Sequence, residues 1–201
     1  MLPHYLLLCL LMLVPHANEK SPLPLPAQPE LQASTTHSQT SFPEPKGIPN
    51  MLFYLQRDPD PNTVVYQLNL TDEGRLNEAE PIKVFWIRYA EQGQRRELNY
   101  IHRKFAFGVN TKKISPEKYE FHLVSHDKIR FLLSKGKDGN FHVYTTIANQ
   151  NAILKRIYVR IESGGSFWVP NIPFVDFFGI QEGGGKEIVG RYIPKKTEYP
   201  Q

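Results

Sequence analysis

The chain has 201 residues, of which 24 are Lys or Arg and 20 are Asp or Glu, for a formal charge of +4. Hydrophobic residues at 40% and charged residues at 22% give a globular composition and exclude disordered and collagen-like chains. The two charge signs are interspersed rather than gathered into a basic stripe, which argues against a nucleic-acid reader.

From the N-terminus, Tyr5 to Val14 is an uncharged apolar run, and Pro15-His16-Ala17 follows it and ends on a small residue. That is the pattern of a signal peptide over residues 1–17, too short to cross a bilayer as a helix. No Lys or Arg precedes the run, and Pro15 is a poor residue two before the cut. The expectation is an exported protein, periplasmic or extracellular, with no transmembrane segment in the mature chain. Cys9 is the sole cysteine and lies in this leader. Leu7-Leu8 before it do not suit a lipoprotein signal, so cleavage leaves no disulfide, thiolate nucleophile or cysteine-bound zinc. Residues 18–47 carry Pro22, Pro24, Pro26, Pro29, Pro43 and Pro45 among Ser, Thr and Gln, and read as a disordered, extended linker.

The pattern changes at Ile48, and residues 48–194 read as one β-rich domain with a tail at 195–201. Met51 to Arg57 and Thr63 to Leu70 flank the turn residues Asp58 to Asn62. In the second run Val64, Tyr66, Leu68 and Leu70 share one face. Ile82 to Tyr89 is apolar on both faces, as a central strand should be. From Gln94 to Phe105 the rhythm lengthens: Leu98, Ile101 and Phe105 recur at three- and four-residue steps, predicting one short amphipathic helix. Lys118 to Val124, Lys128 to Leu133, Phe141 to Ala148 and Ala152 to Glu162 read as an antiparallel meander. Lys135 to Asn140 and Asn149-Gln150 supply its turns. Gly164-Gly165 then leads to Ser166 to Val169. Pro170 and Pro173 limit the next stretch to an edge or loop, and Ile188 to Ile193 closes the domain. The fold class is therefore mostly β, a single antiparallel β-sandwich or barrel-like domain with one short amphipathic helix.

Chemical motifs fail one after another. Asp58, Asp60 and Asn62 open like a calcium loop, but Thr63 stands where glycine is needed and Asn69 where a bidentate carboxylate belongs. His122 and His126 on one strand would stand about 13 Å apart, too far to share an ion. Gly183-Gly184-Gly185-Lys186 lacks the earlier glycine and the following Ser or Thr of a phosphate loop. No nucleophile elbow occurs around Ser166. No metal or cofactor is expected. What stands out is charge beside aromatics: Arg95, Arg96, Arg103, Lys104, Lys112 and Lys113 near Tyr54, Trp86, Tyr89, Tyr100 and Trp168. The residues selected for ligand binding are Trp86, Arg88, Tyr89, Arg103 and Lys104, which combine flat apolar surface with hydrogen-bond donors.

The strings LFYLQRDPDPNTVVYQLNL, PIKVFWIRYAEQGQRRELNYIHRKFAFGV and FWVPNIPFVDFFGI resemble the domain of unknown function 4833 family, over roughly residues 50–194. The resemblance implies an exported bacterial domain and transfers no activity or residue role. Three functions stay open. The first is a non-catalytic exported binding or structural module of the bacterial cell envelope, with envelope glycan, lipid or protein as partner. The second is a small-molecule or lipid-binding β-barrel. The third is a carbohydrate-active enzyme using carboxylates such as Glu91, Asp127 or Asp176.

Overall fold

The structure, a computed structural model, describes residues 31–33, 42–166, 169–183 and 185–194. The leader at 1–17, the tail at 195–201 and Trp168 lie outside the described residues. The strands are β1 (Gln32–Ala33), β2 (Met51–Asp58), β3 (Thr63–Leu68), β4 (Ile82–Arg88), β5 (Gln94–Glu97), β6 (Val109–Ser115), β7 (Lys118–Leu123), β8 (His126–Lys135), β9 (Phe141–Ile147), β10 (Gln150–Glu162), β11 (Asn171–Gln181) and β12 (Glu187–Tyr192). They join into one sheet in the order β5-β4-β3-β2-β10-β9-β8-β7-β6, with β11, β12 and β1 laid in turn along the other edge of β10. The domain is mostly β with a single short helix, and the sheet curls into a half-barrel.

The curl has a definite origin. β10 gives its first residues, Gln150 to Ile153, to β9, and its later ones, Arg156 to Arg160, to β2 on the same edge. Two strands cannot occupy one edge side by side, so they diverge from it and carry two wings, β2–β5 and β9–β6. The β2 pairing is parallel, a departure from the all-antiparallel expectation. A register irregularity between Leu154 and Arg156 bends β10 where the wings part.

The inner faces of the wings meet in a column of aromatic rings. Phe53 of β2 stacks on Tyr66 of β3 at 4.2 Å and reaches Phe121 of β7 at 6.3 Å and Phe131 of β8 at 6.2 Å. Phe131 in turn meets Phe177 of β11 at 6.5 Å. These rings are all buried, placed by the two-residue alternation that gives each strand an inward set, as with Tyr119, Phe121 and Leu123 of β7. The outer face of the first wing is covered too. Gln56 donates to the Pro43 carbonyl at 3.0 Å, Phe42 rests near Tyr158, and the Arg95 guanidinium lies 3.6 Å from the centre of the Phe85 ring. Parts of the proline-rich stretch thus lie against the sheet, and β1 pairs with β12 at Arg191 and Gly190.

Three local expectations need correction. Gln94–Glu97 is an edge strand, and the helix is only α1 (Tyr100–His102), continued by a wider π turn over Arg103–Phe107. Its apolar face does not turn inward as a unit: Leu98 and Phe107 are buried, whereas Tyr100, Ile101 and Phe105 are exposed. The stretch after Pro170 is a long strand and not merely an edge or loop, because Pro173 falls at an irregularity between Arg160 and Glu162, before β12 begins to pair at Val175. A proline there removes no ladder bond. His122 and His126 sit on successive strands, with Leu123 facing His126.

Deleting the ring of Phe53 empties the centre of the aromatic column. Phe53→Ala should lower the unfolding free energy by about 3–5 kcal/mol, read from urea denaturation. Asp176, buried on β11, receives two hydrogen bonds of 2.7 Å from Arg191 of β12. Asp176→Ala leaves that guanidinium against the Phe174 ring without its counter-charge, and should cost about 3 kcal/mol in the same measurement.

Candidate functional site

Positions paired across adjacent strands share a face, so the registers place the chemistry. Leu55, Val64, Trp86 and Arg96 form one row across β2, β3, β4 and β5. Two residues further along the same face lie Arg57 on β2, and Arg88 facing Gln94 on β4 and β5. The inner face of the first wing therefore ends in three arginines around one tryptophan.

Trp86 is buried, and its ring is roofed rather than open. Phe107 meets it edge-on at 5.0 Å, His102 at 5.8 Å, and the Arg57 guanidinium stands 5.1 Å from its centre. The same guanidinium lies 4.8 Å from the Phe107 ring. Trp86 consequently serves as a floor beneath the Arg57 guanidinium and not as a stacking platform for a ligand. Arg57 is held by Asp60 and Arg88 by Glu91 at 2.7 Å, while the Nε atoms of both arginines have no hydrogen-bond partner. Arg96 hydrogen-bonds the Gln94 carboxamide at 3.0 Å, and among the described residues it has no carboxylate partner. The surplus positive potential registers on His102. Burial first, then Arg57 and Arg88, lower its pKa below the ordinary imidazole value, since all three oppose a charged ring.

Of the five residues selected from sequence, Trp86 and Arg88 come together here. The other three point elsewhere. Tyr89 is half-buried, and its hydroxyl pKa is raised by burial and by Glu44 of the N-terminal segment, which places it with that segment. Arg103 turns to Glu80 at 3.0 Å and Glu97 at 3.7 Å. Lys104 is exposed and donates to the Tyr100 hydroxyl at 2.9 Å, beside the exposed Ile101 and Phe105. Sequence reasoning misses Arg57 and His102. The available signal is alternation: Phe53 and Leu55 face inward, so the next residue in that series, Arg57, is a cation at an inward position.

The carboxylates do not converge. Glu91 belongs to the Arg88 pair, Asp176 to the Arg191 pair, and Asp127 is exposed at the start of β8. Asp58 and Asp60, the start of the calcium-like spacing, serve two different guanidiniums, Arg160 and Arg57. Among the described residues no group of three His, Cys, Asp or Glu is placed to hold a metal, and no helix is long and apolar enough to cross a membrane.

No curated protein and no solved structure matches the chain significantly. The profile of a domain of unknown function, number 4833, matches residues 53–191, which runs from the aromatic column through the last strand. The chain belongs to the domain of unknown function 4833 family.

Proposed function

We propose that this domain is a non-catalytic, exported binding module of the bacterial cell envelope, and that it engages anionic groups at the cationic end of its first wing. The observation that carries the reading is Arg96: a guanidinium on an edge strand, beside two further arginines, with only a neutral carboxamide for company. Guanidinium groups match carboxylate and phosphate geometry, and an edge strand on a rigid sheet holds them in fixed spacing. The neighbouring turn adds Lys104 with exposed Tyr100, Ile101 and Phe105, the residue mixture that suits an acidic, partly apolar surface.

Two other readings are less well supported. The aromatic column occupies the space where a barrel-type binder would keep its ligand. The carboxylates offered for glycoside chemistry lie on separate elements, and two of them are engaged by arginine.

Binding to phosphatidylglycerol vesicles or to polygalacturonate, measured by sedimentation at low salt, tests the proposal. Arg96→Ala should weaken it about tenfold, the effect of one lost charged hydrogen bond, and added salt should weaken it further. Failure to bind either anion, or equal binding by the variant, refutes it. A second readout is His102. Protonation of its ring is opposed by Arg57 and Arg88, so an anion seated between them should raise its pKa toward or above about 6.5, seen by NMR titration of the imidazole. A pKa unmoved by ligand would place the anion elsewhere.

A further inference from the structure

Among the described residues six large apolar side chains are exposed, and three of them, Tyr100, Ile101 and Phe105, fall within residues 100–105 of the crossing from β5 to β6. The two rings belong to one patch. The Lys104 ammonium lies 5.4 Å from the centre of the Tyr100 ring and 5.3 Å from that of Phe105, and it donates to the Tyr100 hydroxyl at 2.9 Å. A single cation therefore bridges both rings, and Ile101 follows Tyr100 in the same turn of α1.

The stretch is held at both ends. Leu98 before it and Phe107 after it are buried. The Asn99 side chain accepts a hydrogen bond from the His102 amide at 2.8 Å, and the Phe107 carbonyl accepts one from Tyr66. This path explains why Tyr100, Ile101 and Phe105 face outward. It does not call for large apolar side chains there, since a polar residue at each position would cost the core nothing. Exposed apolar residues gathered on one held turn mark an interaction surface.

The charges beside the patch define the partner's chemistry. Glu80 and Glu97, the carboxylates nearest the turn, are both engaged by Arg103. Lys104 bonds only a neutral hydroxyl, as Arg96 bonds only a neutral carboxamide. Arg96 adjoins the turn: it pairs with Trp86, whose ring meets His102 at 5.8 Å. Rings and an aliphatic chain among cations suit the boundary between acidic headgroups and acyl chains. A soluble polyanion would satisfy the charges and leave the rings in water.

We infer that residues 100–105 are a membrane-docking element, which seats on an anionic bilayer with Tyr100, Ile101 and Phe105 in the interfacial layer and Lys104 at the lipid phosphates. The inference rests on the anion-binding reading above, from which it takes the partner's charge, and it names the partner as a lipid surface. Tyr100 and Lys104 hold their polar ends together, so the hydroxyl and the ammonium stay at headgroup level while ring and stem reach below.

The test presents the full chain with vesicles of phosphatidylglycerol, vesicles of phosphatidylcholine, and polygalacturonate. The double variant Tyr100→Ser, Ile101→Ser changes exposed positions and should keep the parent's urea midpoint. It should lower affinity for phosphatidylglycerol vesicles about tenfold more than affinity for polygalacturonate, as expected when two side chains no longer enter an apolar phase. Phosphatidylcholine vesicles should bind the parent about tenfold more weakly, since they carry no net charge. In Ile101→Trp, the fluorescence added to that of the parent should move to shorter wavelength on phosphatidylglycerol vesicles and not with polygalacturonate. Equal losses for the two anions in the double variant overturn the inference, as does an added emission that stays in place on bound vesicles. A parent that binds polygalacturonate but no vesicle also overturns it and leaves the anion reading standing. Vesicle binding that falls in the double variant but not in Arg96→Ala supports the docking turn and removes Arg96 from the anion site.

Discussion

A strand has two hydrogen-bonding edges, and β10 has three neighbours to satisfy. It solves this by length. Thirteen residues extend over about 40 Å, enough for one edge to serve β9 first and β2 afterwards, while β11 follows the opposite edge nearly throughout. The two strands that share an edge in series must part company, and every other feature of the domain descends from their parting. Had β10 been as short as β3, one wing would have had no strand to hang from.

Once the wings part, their inner faces need each other. Each wing is a four-stranded meander with one apolar face that must be buried against another element, and the rings of Phe53, Tyr66, Phe121 and Phe131 meet across the gap between them. The chain must then cross from β5 to β6, from one wing to the other, within residues 98–108. The Tyr66 hydroxyl binds the Phe107 carbonyl at 3.0 Å and fixes the crossing from beneath. Gly108 is required at its end, because a Cβ there would lie 2.0 Å from the Arg103 carbonyl oxygen. A crossing this short and this tightly pinned cannot bury all its apolar residues, which is why Tyr100, Ile101 and Phe105 remain in solvent.

The strands with clear two-residue alternation are legible from the sequence, and so is the overall β class. β5 and β6 are not, since QRRE and VNTKKIS are polar edge sequences whose strand character comes from their neighbours rather than from themselves. The spacing overstates the helix because Leu98, Ile101 and Phe105 recur with helical rhythm, yet only Leu98 reaches the core. β11 is obscured by two prolines whose harmlessness depends on where the partner strands start and stop. The parallel pairing of β2 with β10 joins residues about a hundred positions apart, and no local pattern announces it. Trp86 and Arg88 are legible as a pair because they share a strand face; the third and fourth members, Arg57 and His102, arrive from other elements.

The distribution of ion pairs gives the surface its character. Asp58, Asp60, Glu91 and Asp176 are each engaged by an arginine, and Glu78 and Glu117 each by a lysine. Such pairing fixes the position of the carboxylates and, at the buried ones, compensates their desolvation. Lys83, Lys112 and Lys137, like Arg96, have no carboxylate partner among the described residues; Arg96 differs from them in standing beside Arg57 and Arg88 on one face of the first wing.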